Sequence, residues 1–80
     1  MGVHLRHRDN NVFIKSVNWT EGEVKFTDDS NEAKSYTNDW FANAEMKQLQ
    51  HYASMPYEEG GLKIDEEYSD VIPELIVYFT

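Results

Sequence analysis

Residues 3 to 27 alternate with a period of two and break twice, at "DNN" and at "TEGE". That pattern constrains the fold more than any other feature of the chain. Alternation over "VHLRHR", "VFIKSVNW" and "EVKFT" predicts three half-buried strands. In the first, Val3, Leu5 and His7 share one face and His4, Arg6 and Arg8 the other. In the second, Phe13, Val17 and Trp19 fall together, with Val12 and Ile14 opposite. In the third, Val24 and Phe26 point inward. Asp and Asn tolerate the backbone of tight turns, and Gly22 is free to take positive φ in the second turn. Three strands joined by short turns make an antiparallel meander.

The period then changes. Asp29 and Glu32 have the spacing of a capping box, which predicts a helical turn over residues 30–35. Ala42, Met46, Leu49 and Ala53 recur at helical spacing, widened by Phe41 and Tyr52. This predicts one main helix, capped at its start by Thr37, Asn38 or Asp39 and stopped by Pro56. Its outer face carries Glu45, Lys47 and Gln50 to water. "LKI" reads as a short strand after the Gly60-Gly61 hinge. "ELIVYF" is the strongest strand signal, with Pro73 just ahead of it. Being apolar at almost every position, it predicts a central strand covered on both faces, or one face plus a partner. The expected fold class is α+β: a small antiparallel sheet, the N-terminal meander plus a C-terminal strand, packed against one main helix in a single domain, 1–80.

A chain of 80 residues buries only about 60% of its unfolded surface. It has no cysteine, so neither a disulfide nor a thiolate zinc site can add stability. Two tryptophans, four phenylalanines and five tyrosines supply the core volume instead. The longest apolar run is too short to span a bilayer, and "MGVHLRHR" lacks the apolar stretch of a signal peptide. The expectation is a cytoplasmic protein with no membrane partner.

Little catalytic equipment is legible. The serines lack a nucleophile elbow. His4 and His7 alternate onto opposite faces and read, with His51, as surface or edge histidines. "DDSNE" and "DEEYSD" do not fit a calcium loop. The sequence reading is therefore a non-enzyme with no catalytic residue, no metal site and no cofactor.

Charge says more. Residues 1–19 hold three basic residues against Asp9, a balance of +2, whereas residues 20–80 hold fourteen acids against four lysines, a balance of −10. Phosphate binding needs concentrated Lys and Arg, so no direct nucleic-acid binding is expected, and a protein partner with a basic surface is the electrostatic complement. The candidate partner-binding residues are Tyr57, Glu58, Glu59, Asp65, Glu66, Glu67, Tyr68, Asp70 and Glu74. Tyrosine among carboxylates is a common interface anchor. If this segment were extended, carboxylates two apart would stand about 6.5–7 Å apart on one face. That spacing is comparable to neighbouring phosphates on a nucleic-acid strand. The bland reading is that the acid keeps a small aromatic-rich domain soluble.

The stretch "LRHRDNNVFIKSVNWTEGEVKFTDDSNEAKSY" resembles the opening of small uncharacterised phage and prophage accessory proteins. The pattern is carried by Phe26-Thr27, Glu32-Ala33-Lys34 and Tyr36, covers under half the chain and has no counterpart in residues 57–80. The resemblance implies a viral accessory origin. Small acidic phage proteins include inhibitors of host defence, among them anti-CRISPR proteins and DNA mimics. The functional expectation is an acidic, non-catalytic phage-type protein in the bacterial cytoplasm that binds and inhibits a host protein through its nucleic-acid-binding surface. The alternative is a structural or assembly module that dimerises, or joins a larger complex, through its C-terminal strand.

Overall fold

The computed structural model describes residues 2–80. Four strands form one antiparallel sheet: β1 (Val3–His7), β2 (Phe13–Asn18), β3 (Glu23–Thr27) and β4 (Leu75–Phe79). A single α-helix, α1 (Asp39–Ala53), packs on one face of the sheet, so the class is α+β. The spatial order is β3-β2-β1-β4, which makes the expected meander with the C-terminal strand added beside β1.

The core lies between the sheet and α1. Leu5, Ile14, Val24, Ala42, Leu49, Ile72 and Leu75 form its centre. Asn38 caps α1, its side-chain carbonyl accepting from the Phe41 N–H at 3.1 Å. The helix then ends three residues ahead of Pro56. The stripe Ala42, Met46, Leu49 and Ala53 faces the core, but Phe41 and Tyr52 are substantially exposed. Glu45 and Gln50, expected in water, are half-buried: Gln50 donates to the Ile72 carbonyl, and Glu45 is drawn into a cluster described below.

β2 departs from simple alternation. Ile14 pairs with Phe26 but Ser16 pairs with Lys25, so Lys15 is an extra residue in a β-bulge. The bulge turns Ile14 and Val17 onto the same, helix-covered face and leaves Phe13 on the other. There Phe13 is buried edge-on to His4 and Tyr78.

β1 and β2 part beyond the Arg6–Phe13 pair, and residues 34–36 fill the fork. The Lys34 N–H donates to the Ile14 carbonyl and the Tyr36 N–H to the Val3 carbonyl, each at 2.8 Å. Both N-terminal histidines are buried, contrary to the sequence reading: His4 beside this fork and His7 at the β1–β2 turn. His4 Nδ1 bonds the Lys34 carbonyl at 2.9 Å. His7 Nδ1 accepts the N–H groups of Asp9 and Asn10, capping the β1–β2 turn from inside. The expected helical turn at 30–35 shortens to a turn over 29–33, closed by the Glu32 N–H on the Asp29 carbonyl and the Ala33 N–H on the Ser30 carbonyl. Asp29 accepts from the Asn31 N–H, while Glu32 accepts from the Thr27 hydroxyl rather than closing a capping box.

β4 is an edge strand, which overturns the first of the two expectations, a central strand covered on both faces, and leaves the second, one face plus a partner, open. It pairs along its full length with β1, from Val3–Phe79 to His7–Leu75. Gly2 and Thr80 exchange both backbone hydrogen bonds, so by antiparallel alternation the N–H groups of Val77 and Phe79 face outward. The "LKI" strand reduces to one parallel bridge between Lys63 and Glu23.

Candidate protein-binding surface

Residues 57–74 form the connection between α1 and β4. They are not extended. Three 3-10 turns organise them, at Tyr57–Glu59, Glu66–Tyr68 and Ile72–Glu74. The row of carboxylates at strand spacing is therefore overturned: two pairs of acids, Glu58-Glu59 and Glu66-Glu67, project from tight turns.

The connection has a structural job that its sequence conceals. It hydrogen-bonds the β3 side through Lys63 N–H to the Gly22 carbonyl and Val24 N–H to the Lys63 carbonyl. Leu62, Val71 and Ile72 are buried, and Ile64 and Tyr68 pack beside them. The carboxylates between these apolar residues are left outside. Glu58, Glu59, Asp65, Glu66, Glu67 and Asp70 are all exposed, and none takes part in an ion pair among the described residues.

The other three candidate residues differ. Tyr68 is half-buried and stacked on Phe26 with centroids 4.6 Å apart, a core contact rather than an open anchor. Glu74 is held by Arg8 at 2.8 Å. Tyr57 is 54% exposed, with its hydroxyl donating to the Glu21 carbonyl.

Sequence reasoning missed what lies beside Tyr57. A cavity of about 370 Å³ is lined by Trp19, Gly22, Gln48, Tyr52, Gly60 and Leu62. A second, of about 220 Å³, shares Trp19, Gly22 and Gly60 with it and adds Glu21 and Tyr57. Trp19 and Tyr52 meet at 67° with centroids 5.8 Å apart. Gly22 and Gly60 both adopt positive φ, 66° and 92°, which a side chain would strain. The signal available in the sequence was an aromatic residue just ahead of one glycine turn and another just ahead of a second.

The indole N–H of Trp19 faces Glu45, a carboxylate that gathers three donors. Glu45 Oε2 accepts from Trp19 Nε1 at 3.4 Å, and Oε1 accepts from Lys34 Nζ at 2.7 Å and from the Tyr36 hydroxyl at 2.5 Å. Burial alone would push the Glu45 carboxyl up. The hydrogen bonds from Lys34 and Tyr36, the Lys34 charge and the Trp19 indole outweigh it and hold the group below its ordinary value. Burial, then the hydrogen bond to Glu45 and its negative charge, push the Tyr36 phenol far above its ordinary range. Lys34 and Tyr36 also hold the β1–β2 fork, so the cluster ties α1, the fork and the cavity wall together.

Among the described residues, no group of three or more His, Cys, Asp or Glu side chains is placed to hold a metal ion. No described helix is long and apolar enough to cross a membrane. No family model, curated protein or solved structure matches this chain.

Proposed function

We propose that this protein is a non-catalytic binding module that occupies the basic, nucleic-acid-binding surface of another protein. In the phage setting that its N-terminal stretch resembles, this would be inhibition of a host defence protein. One observation carries the reading. Of fifteen carboxylates, ion pairs engage Asp9, Glu23, Glu32, Glu45 and Glu74; ten are exposed and in no ion pair among the described residues, and six of those ten, at 58, 59, 65, 66, 67 and 70, crowd onto the one connection, where Lys63 is the lone base. Exposed like charges crowded on one connection repel each other and are relieved by a cationic partner. The acids project from turns rather than a strand, so charge density, not phosphate-like spacing, is what would displace a nucleic acid.

The test is binding of a fluorescent lysine-rich peptide followed by anisotropy. The expected result is saturable binding at low salt that weakens steeply as salt rises. Replacing Glu58, Glu59, Glu66 and Glu67 together by Gln is expected to weaken it about tenfold or more, since each rim charge contributes a few tenths of a kcal/mol to about 1 kcal/mol. The same change at the ion-paired Glu23 and Glu32 should have little effect. Equal losses from both sets would sink the reading.

A second reading rests on β4. Its five residues carry no charge, no proline and no bulge, the devices that keep edge strands from pairing. Ile76, Phe79 and the nearby Trp40 are exposed along it. Pairing of β4 with a second copy would place Val77 opposite Val77 and continue the sheet. Light scattering after size exclusion should then show dimer that increases with salt, as the repulsion between two chains of charge −8 is screened. Ile76→Lys should restore the monomer. A wild-type chain that stays monomeric at high protein and salt concentration argues against this reading. The two readings thus have opposite salt dependence.

A further inference from the structure

We infer that the paired cavities around Trp19 are an aromatic receptacle for the cationic head of a lysine or arginine side chain. The inference rests on the proposed binding of a basic partner and names the site that would grip it. Three aromatic rings converge there: Trp19 and Tyr52 in the larger cavity, Trp19 and Tyr57 in the smaller. Trp19 and Tyr52 pack edge to face at 67°, so together they make one corner of the cavity wall, and each ring stays more than a third exposed for a ligand to meet. A cation within about 6 Å of such ring faces is attracted by their quadrupoles, most strongly by tryptophan.

The volume suits a side chain. At about 370 Å³ the larger cavity lies at the small end of the range for ligand pockets, roughly 300–1,000 Å³. Backbone at Gly22 and Gly60, with the side chains of Gln48 and Leu62, completes the lining beside the rings. A Cβ at Gly22 would stand 3.1 Å from the Gly61 carbonyl oxygen and 3.5 Å from the Tyr57 ring.

The electrostatics point the same way. Glu21 lines the smaller cavity, Glu58 and Glu59 follow Tyr57 on the same turn, and no Lys or Arg lines either cavity. The Trp19 N–H points toward the Glu45 carboxylate at 3.4 Å, which leaves its ring face to the cavity side. No carboxylate lines the larger cavity, so attraction for a cation comes there from the ring faces and at the smaller cavity from Glu21 as well.

Spectra of the ¹⁵N-labelled chain test the site, with a short lysine peptide as probe and the norleucine peptide of equal length as its neutral match. The expected result is movement of the Trp19 indole N–H and of the Gly22, Gly60 and Gly61 amides with the lysine peptide only. The Trp40 indole, which lines neither cavity, should stay still and serves as an internal control. Trp19→Ala should weaken binding about tenfold. Tyr57→Phe, which gives up the hydrogen bond to the Glu21 carbonyl but keeps the ring, should bind nearly as the wild type, and Tyr57→Ala, at a position more than half exposed, should fold and bind severalfold more weakly, so the test survives if Trp19→Ala fails to fold. Equal movement with norleucine would overturn the inference, because the cavity would then be an apolar slot. Lysine-peptide binding that shifts only residues 65–70 and leaves Trp19 still would also overturn it, while leaving the acidic-surface reading intact. Movement of Trp19 with a lysine peptide, but no salt-sensitive binding of the long lysine-rich peptide, would support the receptacle and sink that reading instead.

Discussion

Ile72→Ala is expected to destabilise the fold by about 3 kcal/mol, within the roughly 2–5 kcal/mol typical of truncating a buried isoleucine. Ile72 is fully buried, sits at the end of the acidic connection and packs where α1 meets β4. The whole domain is expected to hold only roughly 4–12 kcal/mol, so the variant would lose a quarter or more of it. Urea unfolding followed by tryptophan fluorescence reads the change. Glu66→Ala on the same connection should shift stability by no more than about 0.5 kcal/mol, because its side chain is exposed and unpaired. The contrast makes the functional point. Residues 57–74 are a folded lid with bare carboxylates on its outside, not a flexible acidic tail. Equal, small effects from both substitutions would mean that the connection is not packed on the core as described.

Glu45→Gln is the second large effect, about 2 kcal/mol of destabilisation at neutral pH. The amide keeps the shape of the acid but leaves the Lys34 ammonium without its counter-charge in a site where unsatisfied groups cost roughly 1–3 kcal/mol. Lys34 and Tyr36 hold the β1–β2 fork through their backbones, so the loss should reach the sheet as well as the helix. The pH dependence has a definite sign. The folded-state pKa of Glu45 lies below its ordinary value of 4.5. Its contribution is therefore complete above that value and is lost as pH falls through the lower, folded-state value. The stability gap between wild type and Glu45→Gln should be widest at neutral pH and shrink in acid. A gap that stays constant from neutral pH to well below pH 4.5 would show that the charge of Glu45 does not stabilise the fold.

The meander, the main helix and the terminal strand were legible because each rests on local rules: alternation, a capped amphipathic stripe, a β-branched run. What was not legible came from departures of one residue or from distant contacts. "IKSV" contains no mark of a bulge at Lys15, yet that one extra residue moves Val17 onto the face of Ile14 and leaves Phe13 on the opposite one. His4 reads as exposed because alternation is silent about what fills the gap between two strands, and residues 34–36 fill it; His7 is taken up by the amides of its own turn, at Asp9 and Asn10. β4 reads from its composition as a buried strand, either central or with one face plus a partner. Its edge position follows from topology alone. In the acidic connection the charges were plain, but its buried residues are spaced by 3-10 turns, at 62, 64, 68, 71 and 72, and match neither a helix nor a strand template. The aromatic cavity joins residues from β2's turn, α1 and the connection, so no single window of sequence contains it.

The exchange of hydrogen bonds between Gly2 and Thr80 has a kinetic corollary. β1 sits second from the edge of the sheet, yet the strand that completes it comes from the other end of the chain. Closing so long a loop is entropically expensive, and the pairing is rewarded only after the intervening residues are in place. The meander and the fork can assemble early from contacts within residues 3–36. Until β4 docks, β1 presents a bare edge, and the still-unpaired "LIVYF" is the segment best suited to join another chain. The interval between the two ends meeting is thus the time in which this protein is most exposed to misassembly, and newly made chains at high concentration would be the first to show it.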